Sequence, residues 1–99
     1  MTIYNRAIVI PSDTFCSVDG VGFNGVDMSS VPVNLHAMQW YGTWGEEEYA
    51  DPVTRQMQPN VRITSLGGYE AVFSSYWDIR NAAEAAQREQ DELQTIIEV

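Results

Sequence analysis

The stretch Leu35–Tyr49, Leu-His-Ala-Met-Gln-Trp-Tyr-Gly-Thr-Trp-Gly-Glu-Glu-Glu-Tyr, constrains this chain more than any other. Two strand-like runs flank Gly42-Thr43-Trp44-Gly45, a short glycine-containing hairpin signal. At a period of two, His36, Met38 and Trp40 fall on one face, and Leu35, Ala37, Gln39 and Tyr41 on the other. Bulky residues on both faces suit a central strand. Two tryptophans and two tyrosines close together bring a large apolar area. The remaining strands are expected to be laid around this hairpin, with Glu46 to Tyr49 returning beside the first strand.

The chain before it reads as short strands and turns. Ile3 to Ile10 forms a strand ended by Pro11, and Ser12-Asp13 is a turn. A second strand, Thr14 to Val18, runs into Asp19-Gly20, the strongest two-residue hairpin signal present. Val21 to Met28 follows as a third strand, interrupted at Asn24-Gly25 by either a bulge or a second tight turn. Ser29 to Asn34 is a connection. After the hairpin, Ala50 to Asn60 has no clear period. It reads as a surface excursion, although loops on a rigid scaffold are also places of contact. Val61 to Thr64 adds a short strand.

From Ser65, a plausible N-cap, the period becomes helical. Gly67 and Gly68 delay regular helix to Tyr69, and Glu70 suits the positive end of the helix dipole. Tyr69, Val72, Tyr76, Ile79, Ala83, Ala86, Leu93 and Ile97 recur at three and four, with Phe73 and Trp77 widening the stripe. The predicted fold is one α+β domain over residues 1–99. An antiparallel sheet of four or five strands fills 1–64, and one long helix fills 65–99. Its core is built on Trp40, Met38, Trp77, Tyr69 and Phe73.

The helix is too long for its own sheet. Tyr69 to Val99 would run roughly 46 Å, whereas the rest of the chain forms a body about 28 Å across. Its distal half should therefore project. Ala83, Ala86, Gln90, Leu93 and Ile97 keep heptad spacing there, so self-association through that face is expected, with Gln90 setting register. Glu84 and Arg88 are spaced for an i,i+4 pair. Five acids against Arg88 leave −4 on this half, which opposes self-association at low salt.

Chemistry-bearing residues are sparse. His36 is the one histidine and Cys16 the one cysteine, so no disulfide forms within the chain. On its strand His36 reads as structural, and Cys16 as a small core hydrophobe. Glu46, Glu47, Glu48 and Asp51 offer oxygens to a hard cation. Strand alternation splits them, however, and a charged strand that resists aggregation explains them better. Asp13, Asp19 and Asp27 are turn residues. No enzymatic activity, cofactor or metal is expected.

The net charge is −9, fourteen acids against five arginines. That argues against direct binding to nucleic acid or to a membrane surface. The acidity serves solubility, or matches a partner with a basic face. Only four apolar residues follow Arg6 before Pro11, too few for a secretory signal, and no span approaches membrane length.

Several segments together resemble a family of small tailed-bacteriophage proteins, encoded in the tail region near tail-fibre genes. They are Val26-Asp27-Met28-Ser29-Ser30-Val31-Pro32, Leu35-His36-Ala37-Met38-Gln39-Trp40 and Gly42-Thr43-Trp44-Gly45-Glu46. The likeness continues through Glu48-Tyr49, Asp51-Pro52-Val53-Thr54, Ile63-Thr64-Ser65-Leu66 and Tyr69. Glu47 departs from the pattern, which calls for an apolar residue there. The resemblance implies a protein made in the host cytoplasm that stays there or enters the virion. It would act in tail-fibre assembly, or as a minor virion component, through contacts with a tail or tail-fibre protein. The alternative is a small acidic inhibitor of a host defence system that imitates nucleic-acid charge.

Overall fold

The computed structural model describes residues 4–98, and for 96–98 only the helical backbone. It is an α+β fold. Strands β1 (Ala7–Ile10), β2 (Phe15–Val18), β3 (Val21–Phe23), β4 (Leu35–Trp40), β5 (Gly45–Tyr49) and β6 (Val61–Ile63) precede a single helix, α1 (Glu70–Glu98). All strand pairs are antiparallel, in the order β3-β2-β1-β4-β5-β6. The sheet thus has six strands, more than the four or five expected. The count is six because the short runs read at Val21 and Val61 both pair into the one sheet, as three-residue edge strands.

The turns explain the topology. Asp19 (φ 50°) and Gly20 (φ 87°) both have positive φ, which fits the twist of the β2–β3 hairpin. The first strand starts at Ala7, not earlier: the Arg6 amide donates to the Asp19 carboxylate (2.9 Å), which ends the ladder. Ile3 lies outside the described residues. Thr14 takes a left-handed conformation (φ 47°) closing the 3₁₀ turn Pro11–Asp13, so β2 begins at Phe15. Gly25 (φ 83°) turns the chain out of the sheet, and β3 ends at Phe23 rather than Met28. The Val26 amide then bonds the Thr14 carbonyl, and the Asp27 amide bonds the Ser75 hydroxyl on α1.

The central hairpin is present, with one correction to its faces. Leu35 pairs with Tyr49 and Ala37 with Glu48, so His36 is the extra residue of a β-bulge. Parity shifts there. Leu35 joins Met38 and Trp40 on the buried face, and His36 is left exposed. At the turn, Gly45 pairs with Trp40, whose ring lies across it. A Cβ on Gly45 would sit 2.5 Å from the Gln39 carbonyl and 2.9 Å from Trp40 Cε3.

Ser65 caps only the turn before the helix, taking the Gly67 amide (3.1 Å). The core joins Ala7, Val9, Cys16, Val18, Leu35, Met38 and Trp40 of the sheet to Tyr69, Val72, Phe73 and Tyr76. Trp77 is only half-buried, at the rim, because its indole N–H reaches out to the Tyr4 hydroxyl (3.0 Å). The opposite face of the sheet carries Ile8, Ile10, Phe15, Ala37 and Gln39, all half-buried.

Gly45→Ala is predicted to lower unfolding free energy by about 1–3 kcal/mol through overpacking. Gly68→Ala meets no atom within 4 Å, and should be neutral or stabilising by about 0.4–1 kcal/mol. Urea unfolding of both variants checks this, and equal effects would contradict it.

Candidate functional site

The helix does not stop where its core contacts stop. Near its start the Tyr69 hydroxyl reaches Glu47 on β5 (2.6 Å), and two turns later the Tyr76 hydroxyl reaches the Val21 carbonyl on β3 (2.6 Å). The helix therefore crosses the sheet and leaves over the β3 edge. Residues 81–95 are all exposed except half-buried Ala85. The molecule is accordingly 61 Å long but only 28 by 18 Å across.

This arm carries the expected contact face. Ala83, Ala86, Gln90 and Leu93 are all exposed, Leu93 at 60%. The side chain of Ile97 lies outside the described residues. Their spacing continues the stripe of Val72, Tyr76 and Ile79, so the side of α1 that packs on the sheet continues uncovered past β3. Val21 is itself 38% exposed on that edge strand. Polar bonds along the arm are local: Gln87 to Asp91 (3.0 Å) and Thr95 to the Asp91 carbonyl (2.9 Å). Glu84 pairs with Arg80 (3.0 Å), not with Arg88 as the spacing also allowed. Arg80 is held there by the Tyr76 hydroxyl (3.0 Å) and the Trp77 ring (4.8 Å).

Residues with possible chemistry are dispersed. Cys16 is fully buried, and burial pushes its thiol up to about 12. His36 shares a cleft with Ser12 and Asp51, but no hydrogen bond joins the three. Glu46 and Glu48 face the open side of the sheet and Glu47 the helix side, as alternation required. Among the described residues no group of three His, Cys, Asp or Glu is placed to hold a metal. Asp19, Asp27 and Asp51 each accept a backbone amide at a turn.

On the open face, the Tyr41 and Trp44 rings meet tilted at 39° with centroids 4.7 Å apart, with Arg6 over the first ring (4.9 Å) and Arg62 over the second (4.6 Å). Arg6 and Arg62 are far from the hairpin in sequence, so only the sheet reveals this ladder. Guanidinium groups take up the ring faces that a sugar or base would need.

Glu47 is the unusual carboxylate, lying opposite buried Met38 on the helix side. The Tyr69 hydroxyl donates to it across the core. Burial first, and then the bond to Glu47 and its charge, raise Tyr69 well above the usual tyrosine value. Burial and the Glu47 charge act likewise on Tyr49. A polar residue where an apolar one was expected is thus accommodated by two tyrosines.

No protein family, curated protein or solved structure matches this chain.

Burial of Tyr69, together with its bond to Glu47, makes stability depend on alkaline pH. The folded chain keeps Tyr69 protonated above pH 10, where the unfolded chain releases that proton. Its contribution is fully present below about pH 10 and is lost as pH rises further. Tyr69→Phe should cost about 1–3 kcal/mol at neutral pH and lose less stability between pH 9 and 11 than the parent. Urea unfolding across that range reads both effects, and an unchanged alkaline loss would contradict the assignment.

Proposed function

We propose that this chain is a non-catalytic bacteriophage protein that works by protein–protein contact in association with the tail. It acts in tail-fibre assembly, or as a minor component of the virion. The observation that carries this reading is the arm, an apolar stripe that leaves its own sheet with no covering element. A helix of that length without tertiary packing is marginal in water, so burial against a partner would stabilise it. The partner is a tail or tail-fibre protein, and a second copy of this chain is the other contact offered by Ala83, Ala86, Gln90, Leu93 and Ile97. The phage setting rests on the sequence resemblance. On this proposal the protein works in the host cytoplasm, and in the virion where it is retained.

The rival reading, an inhibitor that imitates nucleic-acid charge, needs carboxylates spaced along one exposed face. Asp19, Asp27 and Asp51 serve turns and Glu47 faces the core side, so the acids open to that role are those exposed on the arm, Glu84, Glu89, Asp91 and Glu92. Under either reading, the net charge of −9 opposes direct contact with nucleic acid or anionic lipid. No described helix is long and apolar enough to cross a membrane.

Two measurements test the proposal. The full chain should co-purify with a tail or tail-fibre protein from infected cells, and a version ending at Ala82 should not. Absence from virions and assembly intermediates, with no tail or fibre protein bound, would overturn it. Light scattering on the same pair reads self-association: a mass above monomer for the full chain alone is expected. Equal monomeric masses across concentration and salt would remove the second copy as a contact.

A further inference from the structure

A cleft of about 360 Å³ opens beside the β4 bulge, between the start of β4, the end of β5 and the 51–55 loop. That volume lies at the lower end of the range for small-molecule sites. Val33, Ala50 and Pro52 are its apolar lining, and Ser12, Asn34, His36, Asp51 and Arg55 line it with polar groups. Two backbone irregularities bring these groups together. The bulge moves His36 off the buried face. Arg55 is held in the left-handed region (φ 63°), where a non-glycine residue is uncommon.

Asp51 organises the loop that holds Arg55. Its carboxylate accepts the Val53 (2.8 Å) and Thr54 (2.9 Å) amides, and its carbonyl accepts the Arg55 amide (2.8 Å). Those amides hold the Asp51 carboxyl below the usual carboxylate range, with its charge already answered by the backbone. The cationic side chain is not answered in the same way. Arg6, Arg62 and Arg80 lie on aromatic rings, and Arg80 is also ion-paired. The Arg55 side chain, like that of Arg88 on the arm, has no partner among the described residues, and neither do the side chains of Ser12 and His36.

We propose that this cleft binds a small organic anion. The apolar body lies against Val33, Ala50 and Pro52, and a carboxylate or phosphate head is held by the Arg55 guanidinium, whose fork matches such oxyanions. Ser12 and His36 are the further hydrogen-bonding groups at the head. This site is separate from the arm and does not depend on the tail-associated reading.

The test titrates phenyl phosphate, benzoate and neutral benzyl alcohol into the ¹⁵N-labelled full chain. Saturable shifts at residues 33–36 and 50–55 are expected with at least one of the two anions and not with the alcohol. The stronger of the two identifies the head group. Arg55→Asn, which tolerates the left-handed conformation, should weaken binding about tenfold or more. Arg62→Gln removes the same charge elsewhere and should not. No saturable binding of either anion, equal shifts with the alcohol, or unchanged binding by a folded Arg55→Asn variant would overturn the proposal.

Discussion

One helix, with Tyr4 and Val26 beside it, covers the buried face of a six-stranded sheet, and it does so with two tyrosine hydroxyls near the ends of its contact. Tyr69 reaches across to Glu47 and Tyr76 to the Val21 carbonyl. Between them Val72 and Phe73 join the buried cluster that holds Val9, Met38 and Trp40. A tyrosine buries its ring and satisfies its hydroxyl at a distant strand, so a few turns of helix reach strands that aliphatic side chains would not. The same arrangement gives the core-side carboxylate of Glu47 a strong donor, where an unpaired one would be costly. Residues 81–95 are released from the sheet by that economy.

Much of this was legible in the sequence. Asp19-Gly20 marked its hairpin because both residues must take positive φ, and few dipeptides do so cheaply. Trp40 and Met38 sat on the strongest period-two pattern, and both are buried. The projecting arm followed from comparing helix length with body size. Other features depended on contacts between distant residues. The bulge at His36 breaks the very period used to assign its face, and it is defined only by pairing with Tyr49 and Glu48. Trp77 shares the helical stripe, yet its position is decided by the Tyr4 hydroxyl, distant in sequence. Arg80 lies four residues before Glu84 as Arg88 lies four after, and the Tyr76 hydroxyl and Trp77 ring decide between them.

The two candidate surfaces differ in the same way. The arm face is periodic, so Ala83, Ala86, Gln90 and Leu93 could be named from spacing. The cleft gathers Ser12, His36 and Arg55 from three separated segments, through a bulge and a left-handed residue. Neither irregularity has a turn dipeptide or glycine to announce it.

The central claim is that α1 has two halves, one clamped by the core and one without packing on it. Amide hydrogen exchange on the dilute protein tests it most directly. From Phe73 to about Arg80, protection should approach that of global unfolding. From Asn81 to Thr95, exchange should be faster by orders of magnitude, as for a helix without packing. Uniform protection along the whole helix, at a dilution where the chain is monomeric, would contradict the account.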